Sequence, residues 1–290
     1  MKSANRGFTL IELLFGVSIT LIIAMIAFRS FWYTDRTFRD DNLIAAMQQN
    51  VRGVANQIED ELRMGGQNSP SGSFDNPPLE APQVILNGSS ASQILFRSGV
   101  SNITSRATAP LTYTTGVATT VTVDDVTAFN AAGAGSGRFV YLYGKMPNLW
   151  GWVRAELNAV VVATNTLVVT PAQNGTTGSS FASSMRVSLE EGISYRLNGN
   201  SLLRGTVTDF TNLTAPTVAE TTMGDNFTSL QFAYFDAAGN TVNPNTLANR
   251  TLVRRVDITL AGRTLRPLSD GTRPTFAITV RALPRNLGLE

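Results

Sequence analysis

The chain changes its hydrophobic rhythm twice. Residues 8–28, FTLIELLFGVSITLIIAMIAF, are 21 residues that are apolar on every side, with one charge, Glu12. At the ~1.5 Å rise of a helix they reach roughly 31 Å, about the hydrocarbon thickness of a bilayer. Further along, Leu43, Met47, Val51, Val54, Ile58 and Leu62 step by four or three. That is the stripe of an amphipathic helix. Asp35, Arg36, Arg39, Asp40, Asp41, Arg52, Glu59, Asp60 and Glu61 fall largely off it. No proline precedes Pro70, and only Gly7, Gly16 and Gly53 precede residue 65, so the usual helix breakers are almost absent. The pattern predicts one helix from about 8 to 64, roughly 85 Å long. Its first half, 8–28, spans a membrane, its second half, 29–64, packs on a head, and Gly65-Gly66 stops it.

Residues 65–82 are rich in Gly, Ser, Pro and Asn and read as a linker. The rhythm then shortens to two. Leu230, Phe232 and Tyr234 share one face, as do Val256, Ile258 and Leu260, then Phe276, Ile278 and Val280, and Met185, Val187 and Leu189. These are half-buried antiparallel strands, with the helix stripe as the expected cover. Asn198-Gly199 between apolar runs predicts a type I′ hairpin, and Asp236–Asn240 a longer turn before Thr241-Val242. Residues 101–182, rich in Thr, Ala, Gly and Val, read as an inserted sandwich or barrel-like subdomain. The expected fold is therefore α+β: a long N-terminal helix on an antiparallel β-sheet head, residues 83–290, carrying a β-rich insertion.

Composition narrows the chemistry. The 290 residues contain no His and no Cys. No Ser-His-Asp or Cys-His nucleophile system, imidazole or thiolate metal site, or disulfide can be built from them. No carboxylate pair, phosphate loop or nucleophile motif stands out, so neither an enzyme nor a cofactor is expected. Formal charge is +2, too small to imply nucleic-acid binding by bulk electrostatics, and of the 23 basic residues only Lys2 and Lys145 are Lys. Counting Lys and Arg on the two sides of the span does not favour one orientation. The short polar stub before the span and the large domain after it favour an orientation with the N-terminus inside.

A carboxylate five residues into a span costs roughly 2.5–3.5 kcal/mol on insertion scales, so Glu12 calls for a partner. The surrounding residues, Arg6-Gly7-Phe8-Thr9-Leu10-Ile11-Glu12-Leu13-Leu14, resemble the type III signal of type IV pilins and type II secretion pseudopilins. The resemblance implies a leader, residues 1–7, that a prepilin peptidase cuts after Gly7. It implies methylation of the new N-terminus at Phe8, and a Glu12 that meets the N-terminal amine of a neighbouring subunit during assembly. Removal of Lys2 and Arg6 then leaves 21 basic against 21 acidic side chains. Unlike many major pilins, this span has no proline; Gly16, Val17, Ile19 and Thr20 are its softer positions.

The C-terminal third resembles PilW-like minor pilins and the shorter J-type pseudopilins. The matching residues are Ile193–Arg196 with Leu203-Arg204, the DNFTSLQFAYFDAAGN segment, and the closing RRVDITLAGRT and FAITVRAL strands. The resemblance implies a minor pilin of a type IV pilus that works with other minor and major pilins, or a J-type pseudopilin of a type II secretion system. A third reading is a pilus-borne adhesin or DNA-binding module. It would use the insertion or the Arg-rich end, Arg250, Arg254, Arg255, Arg263, Arg266 and Arg273; the simpler reading pairs those arginines with Asp257 and Asp270. Trp150, Trp152, Tyr141 and Tyr143 read as packing in the insertion, with a ligand-contacting loop as the alternative. Asp124-Asp125, Asp225 and Asp236 are the oxygens a Ca²⁺ site would draw on. Adjacent Asp residues in a Thr-rich stretch read as a turn, and no metal is expected.

Overall fold

The structure is a computed structural model that describes residues 9–70, 83–147, 150–175 and 180–284. One helix, α1 (Leu10–Arg63), runs without interruption for 54 residues, about 81 Å. The strands that follow are β1 (Gln93–Arg97), β2 (Thr104–Arg106), β3 (Leu111–Thr112), β4 (Thr119–Thr122) and, after a short helix α2 (Thr127–Ala132), β5 (Phe139–Lys145). Then come β6 (Trp150–Val161), β7 (Thr166–Gly175), β8 (Ser180–Phe181), β9 (Arg186–Leu189), β10 (Gly192–Asn198), β11 (Ser201–Asp209) and β12 (Thr217–Gly224). The chain closes with β13 (Phe227–Phe235), β14 (Thr241–Val242), α3 (Leu247–Leu252), β15 (Arg255–Arg263) and β16 (Thr275–Ala282). The fold is α+β, a long helix followed by antiparallel sheets.

Two four-stranded sheets, ordered β1-β10-β11-β12 and β14-β13-β15-β16, form the head. They share one core with the helix stripe. Met47, Val51, Val54, Ala55, Ile58 and Leu62 are buried with Ile94, Phe96, Tyr195, Phe227, Phe232 and Ile258. The apolar alternation of β13 and β15 is the physical cause, since the inward residues pair in register, Leu230 with Leu260 and Phe232 with Ile258. The helix lies so close to β15 that a Cβ on Gly262 would come within 2.7 Å of Val51 Cγ2. Only glycine admits that approach.

The third sheet, ordered β2-β9-β5-β6-β7-β4, curls until its ends meet. Ala107 bridges Val123, and the Thr108 amide donates to the Thr122 carbonyl at 2.9 Å. Its interior is a second core around Val140, Leu142, Val153, Leu157 and Phe129. Closure removes the exposed edges that an open sheet would carry.

Four expectations need correction. The helix packs on the head only from Leu43 onward, not from residue 29. Phe31, Trp32, Tyr33 and Phe38 are each at least 64% exposed, because the apolar stripe starts only at Leu43. Strand β9, with Met185, Val187 and Leu189, belongs to the curled sheet and its core, so that unit runs past residue 182 and the helix does not cover β9. The hairpin loop is Gly199-Asn200, since Asn198 pairs with Ser201. Only Gly199 there has positive φ, 60°, which is the II′ pattern rather than I′. Lastly, residues 65–70 are bound to the head: Gly65 bridges Ser98, and the Gly66 amide donates to the Arg97 carbonyl. Residues 71–82 lie outside the described part.

Candidate functional site: the free end of the helix and the joints behind it

Thr9 caps α1 in an extended conformation. Its hydroxyl accepts from the Glu12 amide at 3.4 Å, while its own amide and hydroxyl donate to Glu12 Oε2 at 3.2 and 3.0 Å. This is a reciprocal capping box, and a carboxylate in the first helical turn also suits the positive end of the helix dipole. Both donors use Oε2. Gly7 and Phe8 lie outside the described residues.

Beyond this cap the helix stands free. Apolar side chains from Leu10 to Phe28 are exposed, and α1 is long and apolar enough to cross a membrane. Ser18 and Thr20 donate their hydroxyls to the carbonyls of Leu14 and Gly16, which hides their polarity within the helix. About 14 residues, 29–42, separate the apolar run from the head, roughly 20 Å of helix. There Arg39 pairs with Asp35 at 2.7 Å. Asp40 reaches the loop before β16, where the Ser269 amide donates to it at 3.0 Å.

Two buried charge clusters fix the pieces to one another. Glu61, placed by sequence among the residues off the stripe, is instead buried against the sheet. The Tyr195 hydroxyl donates to its Oε2, and Arg204 Nε lies 3.0 Å from the same oxygen. Burial, then Glu61, pushes the Tyr195 hydroxyl well above the ordinary tyrosine range. Tyr195 and Arg204 are a direct cross-strand pair, so the sheet register itself builds the receptor for the helix carboxylate. Glu190 lies fully buried between the head and the curled sheet. It accepts from Arg97 Nε at 2.7 Å, Arg154 Nε at 2.6 Å and the Tyr141 hydroxyl at 2.7 Å. Burial works to raise its carboxyl, but the two guanidiniums prevail and hold it below the ordinary glutamate range. The same surroundings push Tyr141 up, burial first. Arg154 also stacks over Phe139 at 3.5 Å and donates to the Phe210 carbonyl at 2.9 Å. Neither cluster is visible in the sequence, because each joins residues more than 30 positions apart; Glu61 stands in the run Glu59-Asp60-Glu61 and Glu190 beside Glu191, so neither acid is singled out.

The other candidates do not converge. Asp124 accepts from the Ser105 hydroxyl and the Arg106 amide, and Asp125 from the Thr127 amide. Asp225 accepts from Ser201, and Asp236 from Asn240. Hydrogen bonding to these turn donors lowers the carboxyls of Asp124, Asp125 and Asp236. The arginines are dispersed. Arg250 is buried on Gln83, Asn87 and the Pro244 carbonyl, and Asp257 takes Arg255 and Arg281. Asp270, an expected arginine partner, instead accepts from the Thr272 amide and hydroxyl. The aromatics split. Tyr141 and Trp152 pack edge-to-face at 5.8 Å, while Trp150 is 57% exposed.

Residues 2–28 match the family model described as the prokaryotic N-terminal methylation motif. No curated protein matches the chain. The motif, continued by the free apolar helix, marks the chain as a type IV pilin-like protein of the pilin and pseudopilin superfamily. It implies processing by a prepilin peptidase and assembly with other pilins, and with the apolar helix it accords with membrane anchoring.

Proposed function

We propose that the protein is a minor pilin, a non-catalytic assembly subunit of a type IV pilus. It is held in the inner membrane by residues 8–28 with its head in the periplasm, then drawn into a filament. The observation that carries this reading is the methylation motif over residues 2–28, on a helix whose large apolar side chains from Leu10 to Phe38 are exposed. In this reading residues 1–7 are the leader, the peptidase cuts after Gly7, and Phe8 carries the methylated amine. The 29–42 stretch is the stalk that lifts the head clear of the bilayer, and neighbouring helices cover it in the filament.

The geometry of the cap supports a role for Glu12. Thr9 satisfies Oε2 and orients the carboxylate; among the described residues Oε1 receives no donor, and in this reading it takes one from a neighbouring subunit. The methylated ammonium of a neighbouring subunit is such a donor. Each charge is unfavourable alone in low dielectric, and pairing relieves both. The pair therefore sets axial register more than it adds stability.

Replacing Gly7 with Leu tests the reading directly. We expect the precursor to persist in the membrane with Lys2 and Arg6 attached, as read by intact-mass spectrometry. Normal cleavage of that variant would sink it. Loss of piliation on deletion, with enzyme secretion intact, distinguishes the pilus role from a pseudopilin role.

A further inference from the structure

The outer face of the curled sheet carries an arrangement of exposed cations and aromatic rings. In sheet order β2-β9-β5-β6, Arg106 pairs with Arg186, Arg186 with Tyr143, and Tyr143 with Trp152. Directly paired residues share a face, so these four form one row, about 14 Å across at ~4.8 Å per strand. Lys145, two residues beyond Tyr143, pairs with Trp150 and extends the row along the strands. One step back along the same strands, the face carries Tyr141, Arg154 and Ser188, which are buried against the head. The row is thus where the docked face emerges into solvent.

Its chemistry is unusual. Like charges directly opposite each other destabilise a sheet, yet Arg106 and Arg186 sit opposite and both are exposed. Among the described residues neither guanidinium nor Lys145 has a carboxylate partner. Asp124, the nearest acid in sequence to Arg106, lies with Ser105 on the opposite face. Beside the cations stand the exposed indole of Trp150 and the half-buried ring of Tyr143.

The geometry points to a binding face for an acidic polysaccharide: the arginines and Lys145 take carboxylates on separate sugar rings, and Trp150 stacks on a ring. Arginine's planar fork suits carboxylates, and an amphipathic aromatic supplies contact area at low entropic cost. Three cations match a sparsely charged chain better than a duplex with a charge every ~1.7 Å. The near-neutral mature chain provides little long-range attraction for such a polymer. This assignment does not depend on the filament role, since it rests on the curled sheet alone.

The test uses the full chain in detergent, with polygalacturonate as probe, neutral dextran and a single-stranded oligonucleotide as comparators, and titration calorimetry as readout. We expect polygalacturonate to bind and dextran not to. R106A/R186A should lose affinity by about tenfold or more, the scale of charged hydrogen bonds, W150A should lose less, and R186E should abolish binding. The melting temperature of R106A/R186A should stay level or rise, because a like-charge pair has been removed. Absence of polygalacturonate binding, or unchanged binding in R106A/R186A, overturns the assignment. So does a clear fall in melting temperature, which would make the arginines structural. Tighter binding of the oligonucleotide overturns it in favour of nucleic acid.

Discussion

Glu190 receives three donors from its own chain, whereas Glu12, among the described residues, receives only Thr9, on one oxygen. Both carboxylates are set among apolar residues. Glu190 lies where two sheets close over it, so a lost donor leaves a buried carboxylate oxygen short of a hydrogen bond. Glu12 lies on a helix face that none of the described residues covers, and in the proposed reading membrane and neighbouring subunits complete its environment. The difference separates a carboxylate enclosed by its own fold from one left exposed, to which the proposed function gives a role in assembly.

The strongest way to break that comparison is Glu190→Ala. Removing one partner of a buried charge cluster costs about 3–5 kcal/mol, because Arg97 and Arg154 then face each other without an anion. We expect a large fall in denaturant midpoint, with lost protease resistance at the junction between head and curled sheet. An unchanged midpoint would remove the contrast. Next is Ile58→Ala, fully buried on the helix stripe, at about 2–5 kcal/mol. It should loosen the helix from the head while leaving α1 helical. Chemical denaturation with a tryptophan probe reads this.

pH sharpens the contrast. Glu190 is depressed in the folded state, so its stabilisation is fully present above the unfolded glutamate value, about 4.3. It is lost only as pH falls through the lower folded value. The stability gap between the wild type and Glu190→Gln should stay constant from about pH 7 to pH 5 and narrow only in stronger acid. A gap that closes by pH 5 contradicts the lowered value. The smallest stability effects belong to the helix start. Thr9→Ala should cost about 0.5–2 kcal/mol of local helix stability, seen as faster amide exchange over residues 10–14. Glu12→Gln should leave the melting temperature of the head unchanged while reducing recovery of the subunit in sheared pili. Normal recovery would return Glu12 to the role of a cap alone.

Much of this was legible beforehand where the physics is local. The helix stripe from Met47 to Leu62, the alternating strands β13, β15 and β16, and the apolar run need only residue spacing. The limits of legibility were equally physical. Asn198-Gly199 signals a hairpin, but which two residues form its loop depends on the pairing of Leu197 with Leu202, a cross-strand matter. Likewise, Met185, Val187 and Leu189 alternate as a strand should, yet alternation cannot say which of two sheets receives it.

By itself the sequence determined the long apolar helix, its single charge at Glu12 and the methylation motif, because these are contiguous and depend on neighbours three or four residues away. Only the tertiary structure decided that the apolar packing of the helix on the head begins at Leu43, that the insertion curls shut through Ala107 and Val123, and that Glu61 and Glu190 are buried. It alone brought Arg106 opposite Arg186. Register and closure bring together residues tens of positions apart, and the free energy of such a contact depends on what surrounds it rather than on either residue alone.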